Sequence, residues 1–525
     1  MIVSFKSKGG GSNKQMIAHV TTVAFRGLEA IPVDVQVMIS AGKIGMAIVG
    51  LADKAIAESR ERVQAALHAC GLSMPNKRVT INLAPADLPK EGSHYDLPIA
   101  VGLMLTMGIL PPEVAQDYVI LGELSLDGSI TAVNGVLPTA ITALSLDKGL
   151  ICPHPCGPEA AWANAEMNIL APESLLTIVN HFKGTQIQKR PQPRQYTLQT
   201  ELPDLCEIKG QKTAKRALEV CAAGRHNLLF VGPPGAGKSM LAQRLPSLLP
   251  PLDSRELLEV SLIASITGET VHKSLSLHCP FRAPHHSASM AAMVGGGLKA
   301  RPGEVTLAHN GVLFLDELPE FSPQVLDSLR QPLESGECVI ARANHHISYP
   351  ARIQLIAAMN PCRCGMAGEK GYVCAKGIRC QIDYQSRISG PLLDRIDLRI
   401  DVPALTAMDL MQSEQSEKSC DVAKRVARCR AIQAKRFTKL NLSHIRTNGD
   451  CPAKIIEQIA IPDKSAAKLL QDVSEKMHLS ARAYHRILKV ARTIADLEEA
   501  DYLARHHLAE AISYRLRTER LTALT

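Results

Sequence analysis

Aromatic side chains are scarce in these 525 residues: one Trp, nine Tyr and eight Phe, about 3% of the chain. Single-stranded nucleic acid is commonly held by bases stacked on aromatic rings, so this composition argues against a stacking platform as the main binding device. Long apolar runs are also missing; nothing approaches the roughly 18 residues that would span a bilayer. The 14 cysteines are scattered along the chain and form no dense framework of the kind that staples small secreted domains. The first stretch, MIVSFKSKGGGSNKQ, is too polar and too rich in Gly for an export signal and reads as a flexible leader over residues 1–15. A reducing, cytoplasmic setting with no membrane partner is expected. The net charge of +8 permits nucleic-acid binding without requiring it.

What is present is alternating α/β patterning. HVTTVAF, PVDVQVMI and GMAIVGL alternate as strands, and from Lys54 to Cys70 the apolar period becomes helical. A strand at RVTINLAPAD, a helix starting near Asp96, and a strand pair around the tight-turn signal Asp127-Gly128 extend this unit over residues 16–185. Residues 186–204, polar and with three prolines, form the linker. A second α/β unit over 205–403 carries buried-strand patterns at NLLFV, GVLFL and IQLIAAM, and residues 404–525 are helical in pattern.

The strongest chemical signal is GPPGAGKS, which follows the strand NLLFV and precedes a helical pattern. It matches the phosphate-binding loop, or P-loop: Gly232, Pro233, Pro234, Gly235, Ala236 and Gly237 turn backbone N–H groups toward phosphates, Lys238 adds a point charge, and Ser239 offers a hydroxyl to Mg²⁺, with Met240 following. ATP and Mg²⁺ are the expected cofactors. A second strand, GVLFL, ends in Asp316 and Glu317, a pair suited to hold the metal and to orient attacking water. A third ends in Asn360, which either helps position that water or simply forms a turn. Phosphoryl transfer also needs a cation on the developing charge. Arg395 and Arg482 are the candidates, with surface ion pairs as the plain alternative.

Seventy-eight residues separate Lys238 from Asp316, room for an inserted element. It carries Arg282, His285, His286, Lys299 and Arg301. ECVIARANHHISYPARI alternates like a hairpin with Arg342, Asn344, His345 and His346 near its tip. Both segments read either as loops tracking a DNA backbone or as subunit-contact loops. Val422 to Lys439 holds seven Lys and Arg and no acid, a pattern that marks a solvated or intersubunit helix face, or a DNA contact. Cys362, Cys364, Cys374 and Cys380 lie in one Gly-rich stretch. Four thiolates there would close a structural Zn²⁺ shell, and free thiols in a reducing compartment are the alternative.

Taken together, GPPGAGKSMLAQRLPSLLPPL, FRAPHHSAS, HNGVLFLDELPEF, AAMNPCRCG and SGPLLDRIDLRIDVP resemble the magnesium-chelatase-like AAA+ ATPases of the YifB/ComM family, from Met16 to about Arg520. The resemblance implies an α/β multidomain chain. Its parts would be a Lon-protease-like N-terminal domain of the ribosomal S5 domain 2-like fold, an AAA+ P-loop core and a C-terminal helical lid. It also implies roles: Asn360 as sensor 1, Arg395 as the arginine finger and Arg482 as the sensor-2 arginine. The expected activity is that of a homo-hexameric ATPase and DNA helicase that promotes branch migration during natural transformation. Its partners would be single-stranded and branched DNA and possible recombination proteins. The alternative is a ring that remodels a protein, as a metal chelatase or chaperone does. PKEGSHYDLPIAVG is similar to the nucleophile loop of Lon proteases, but His94 stands where the serine would be and Leu137 where the lysine would be. Ser93 is therefore expected to be an unactivated alcohol, and the domain inactive in peptide cleavage.

Overall fold

The computed structural model describes residues 17–50, 53–193, 202–269, 276–297, 300–342, 345–365, 374, 377–405 and 416–515. The chain divides into two compact units, residues 1–196 with 261–275, and residues 197–260 with 276–525.

In the first unit a long hairpin of β1 (Ile17–Arg26) and β2 (Glu29–Ser40) is joined by β3 (Gly45–Val49), β4 (Arg78–Ala84), β5 (Tyr118–Ile120), β8 (Gly149–Ile151) and β9 (Ile169–Leu170). The strand order is β3-β4-β2-β1-β5-β8-β9. β6 (Glu123–Leu124) and β7 (Ile130–Thr131) pair separately around the Asp127-Gly128 turn. The period-2 pattern places Val33, Val35 and Val37 of β2 and Val79, Ile81 and Leu83 of β4 on one buried face. Helices Lys54–Ala69 and Asp96–Thr106 share their core. Asp53 caps the first helix, accepting from the Ile56 N–H at 2.9 Å. Asp96, fully buried, is held by Arg62 at 2.6 Å and by the Leu124 N–H at 3.3 Å.

The second unit is built on a parallel sheet of β10 (Leu228–Val231), β11 (Phe281–Arg282), β12 (Val312–Leu315), β15 (Gln354–Met359) and β16 (Leu398–Asp401), in the order β11-β12-β15-β10-β16. The antiparallel hairpin of β13 (Glu337–Arg342) and β14 (His345–Pro350) precedes β15. The buried runs NLLFV, GVLFL and IQLIAAM are β10, β12 and β15, as their continuous apolar character predicts for a parallel sheet. The two-residue edge strand β11 was not foreseen, because so short a pairing leaves no periodicity to read. The segment CPFRAPHH is thus anchored at its start in the sheet.

Helices Ser419–Lys439, Ala453–Ile459, Lys464–Met477, Ala481–Leu497 and Arg505–Ser513 follow. Val422, Val426, Ile487 and Ile494 join Leu228, Phe230 and Ile356 in one continuous core. No helix among the described residues is long and apolar enough to cross a membrane.

Candidate functional site

All strands of the second sheet run parallel, so β10, β15 and β12 deliver their following residues to one edge. Gly232 follows β10, Asn360 follows β15, and Asp316 with Glu317 follows β12. Gly232 is required by packing: a Cβ there would lie 2.1 Å from the Val402 carbonyl oxygen. Lys238 is buried and its ammonium donates to the Gly232 and Pro233 carbonyls at 2.8 Å each and to Asn360 Oδ1 at 3.1 Å. Burial pulls its pKa below the ordinary value, against the opposing charges of Asp316 and Glu317. Ser239 Oγ donates to Asp316 Oδ2 at 2.5 Å. Hydroxyl and carboxylate are therefore already side by side, the donor pair an Mg²⁺ ion bound with phosphate takes up. The glycine-lined loop, buried ammonium and paired oxygens fit a nucleotide with its metal.

Glu317 sits in the left-handed region at φ +52°, with its N–H bonded to Asp316 Oδ1 at 2.9 Å. A non-glycine residue held there stores strain of the kind found at catalytic positions. Its carboxylate is half exposed and lies 3.5 Å from His286 Nδ1. His286 in turn lies against His285, with ring centroids 4.0 Å apart. Sequence spacing gave no sign of this neighbour: Glu317 lies 31 residues beyond His286 in the chain.

Gln211 was missed by sequence reasoning. It is buried, left-handed at φ +50°, and donates to the Ala236 carbonyl at 3.4 Å and the Pro403 carbonyl at 2.8 Å. Met240 is exposed beside Ser239.

Arg395 and Arg482 are brought together, but not at this edge. Both line a cleft of about 740 Å³ with Arg225, Asp397, Arg486 and Lys489, and no residue of 232–240 borders it. Arg482 is exposed at the start of helix Ala481–Leu497. Arg395 is largely buried, ion-paired with Glu334 and donating to the Arg330 and Pro391 carbonyls at 3.1 and 2.8 Å. Asp397 ties the cleft to the sheet by accepting from Arg486 at 2.7 Å and from the Asn227 N–H at 3.0 Å, and these partners hold its carboxyl well below the usual range despite burial.

Of the residues expected at DNA, Arg282 is paired with Glu304 through two bonds of 2.8 and 3.0 Å. His285 is exposed, with Nδ1 2.8 Å from Ser287 Oγ. Lys299 and Asn344 lie outside the described residues, as do the side chains of Arg342, His345 and His346. Four residues of the basic run in helix Ser419–Lys439 are already engaged within the chain, while Arg428, Lys435 and Lys439 are exposed. Arg425 pairs with Glu219 at 2.5 Å and with Glu417, Arg436 with Asp496, and Lys424 with Asp421 at 2.9 Å, while Arg430 donates to the Ala222 carbonyl at 2.7 Å.

In the first unit Ser93 Oγ donates to the Glu123 carboxylate. Buried His94 points away, its Nε2 2.9 Å from the Val23 carbonyl oxygen, and Leu137 is a buried apolar residue. Among the described residues Ser93 makes no pair with a lysine.

Family comparisons agree with these features. The family described as magnesium chelatase, subunit ChlI, matches residues 204–410, its C-terminal counterpart matches 416–515, and subunit ChlI of Mg-chelatase matches 35–155. The chain is 43% identical to YifB of Salmonella typhimurium over 505 residues, covering 95% of this chain and 97% of that protein. It is 42% identical to the competence protein ComM of Haemophilus influenzae over 520 residues, covering 97% and 99% of the two. The Cereibacter sphaeroides magnesium-chelatase 38 kDa subunit is 27% identical over 182 residues, 29% of this chain and 51% of that subunit. The chain belongs to the YifB/ComM-type magnesium-chelatase-like AAA+ family, a family of ring ATPases.

Proposed function

We propose that this protein is the ATP-hydrolysing subunit of a cytoplasmic homo-hexameric DNA motor that drives branch migration of recombination intermediates during natural transformation. The observation that carries the proposal is the separation of its two candidate arginines from the P-loop and its carboxylates. Lys238, Ser239, Asp316, Glu317 and Asn360 meet at one sheet edge, whereas Arg395 and Arg482 share a cleft that the P-loop does not border. A reaction that needs both sets is completed when the cleft of one subunit meets the edge of the next, which a ring provides.

Within one subunit, Lys238 neutralises phosphate charge, Ser239 and Asp316 hold the metal, and Glu317 with Asn360 orients water. Mg²⁺ bound there would supply charge stabilisation across the terminal phosphates. Arg395 must leave Glu334 to reach a neighbour's phosphate, so an isolated subunit turns over slowly. The similarity to the competence protein ComM supports DNA as the partner. His285 and Arg301, both exposed, together with Lys299, Arg342, Asn344, His345 and His346, are the proposed DNA-tracking groups, with recombination proteins as further partners. The first unit is read as a Lon-like domain without peptidase chemistry, because Ser93 faces a carboxylate and not a lysine.

A second reading, a ring remodelling a protein partner, draws on the match to a magnesium-chelatase subunit. Displacement of a labelled strand from three-stranded DNA separates the two. The motor reading expects ATP-dependent displacement; ATP turnover without displacement favours the protein remodeller.

A further inference from the structure

We propose that Cys362, Cys364, Cys374 and Cys380 bind one Zn²⁺ and that the loaded site braces the P-loop from outside. The bracing half rests on reading the P-loop as the nucleotide site; the metal half does not.

The ligand atoms of these four residues all lie within 4.8 Å of one another. Cys362 Sγ and Cys364 Sγ are 2.9 Å apart, and Cys364 Sγ and Cys374 Sγ 3.4 Å. Those separations are far too long for disulfides, whose sulfurs sit about 2.05 Å apart. They approach the roughly 3.8 Å edge of a tetrahedron with Zn–S bonds of about 2.3 Å. All four thiols are free. Cys362 is fully buried and Cys380 nearly so, while Cys364 is exposed, which gives an ion a way in. Four sulfur ligands leave no position for substrate, so the site is structural, and thiolates select Zn²⁺ over Mg²⁺. Arg363 and Arg379 each neighbour a ligand in sequence, and both are exposed.

Two contacts carry the site's rigidity inward. Cys364 is followed by Gly365, left-handed at φ +83°, where a Cβ would lie 2.7 Å from both Cγ and Cδ of Pro234. The cysteine loop therefore rests on the second proline of the P-loop with no room to spare. Cys380 lies on helix Gly377–Gln385, whose Gln385 Nε2 donates to the Pro361 carbonyl at 3.1 Å, one residue after Asn360. One ion would thus tie together the turn after Asn360, the helix carrying Cys380 and the turn that backs Pro234. Without it, the only other link among the described residues between the turn carrying Cys362 and Cys364 and the helix carrying Cys380 is the Gln385–Pro361 hydrogen bond, and fixing both elements costs conformational entropy that the ion would offset.

The test uses the full chain purified without chelator. Elemental analysis should find about one zinc per chain, and a mercurial reagent should release it to a colorimetric zinc indicator. Cys364→Ser should drop the zinc content at least fivefold while keeping the far-ultraviolet circular dichroism of the parent. Binding of a fluorescent ATP analogue should weaken about tenfold both in Cys364→Ser and after zinc release. Gly365→Ala should retain zinc yet weaken the analogue by a similar factor. Absence of zinc, or iron in its place, overturns the metal site. Full zinc in the parent with unchanged analogue affinity after its removal overturns the brace. A parent that holds zinc but binds no analogue refutes the nucleotide reading and leaves the metal site standing.

Discussion

Lys238 Nζ lies 3.1 Å from Asn360 Oδ1, so the P-loop lysine and the residue that follows β15 are in direct contact where a terminal phosphate would sit. The same ammonium bonds two P-loop carbonyls, and its three protons are all engaged. Phosphate oxygens must replace some of these acceptors, which makes Lys238 and Asn360 respond together to nucleotide. Lys238→Ala should abolish detectable binding of a fluorescent ATP analogue. Glu317→Gln should bind it normally and lower turnover about 100-fold or more, because only the carboxylate proposed to orient water is lost. Equilibrium binding beside a phosphate-release assay checks both.

Arg395 and Arg482 should act on a neighbour's nucleotide. Arg395→Ala is expected to lower turnover by about a thousandfold or more with analogue binding retained. Mixing it in equal amounts with Lys238→Ala, each inactive alone, should restore activity to about a quarter of the parent, the share of interfaces with both parts intact. Activity that stays at the level of the separate variants would place the arginine in its own subunit's site.

His286 Nδ1 stands 3.5 Å from the Glu317 carboxylate, and in the proposed mechanism a contact there would hold that carboxylate away from the attacking water. An exposed pair of this kind is worth about 0.2–1 kcal/mol, so His286→Ala should raise DNA-independent turnover by up to about fivefold. The ratio of turnover with and without single-stranded DNA should fall correspondingly.

Burial lowers the His94 pKa to about 4 from an ordinary 6.5, outweighing the bond to the Val23 carbonyl. Between those values the unfolded chain takes up a proton that the folded one refuses. His94's contribution to stability is therefore complete above pH 6.5 and is lost on acidification toward pH 4, at up to about 1.4 kcal/mol per pH unit. The single tryptophan, Trp162, lies in the first unit and reports its unfolding by fluorescence. Urea titrations at pH 6.5 and 5.5 should show the loss, and His94→Gln should reduce it.

Much of this was legible because the informative patterns are local. Continuous apolar runs marked β10, β12 and β15, and glycine spacing marked the loop around Lys238. What was not legible depends on residues far apart in sequence. Glu334 occupying Arg395, Glu304 occupying Arg282 and Glu317 meeting His286 leave no trace in spacing. The stretch Val422 to Lys439 is another case: it contains no acid, yet Glu219 and Glu417 pair with Arg425, and Asp496 with Arg436, from elsewhere in the chain.

The most direct test of the account is strand displacement from three-stranded DNA by the assembled protein. The parent should release a labelled strand only with ATP and Mg²⁺, and Lys238→Ala, Glu317→Gln and Arg395→Ala should each fail. Parent protein that hydrolyses ATP under the same conditions and leaves the labelled strand in place would contradict the DNA-motor account.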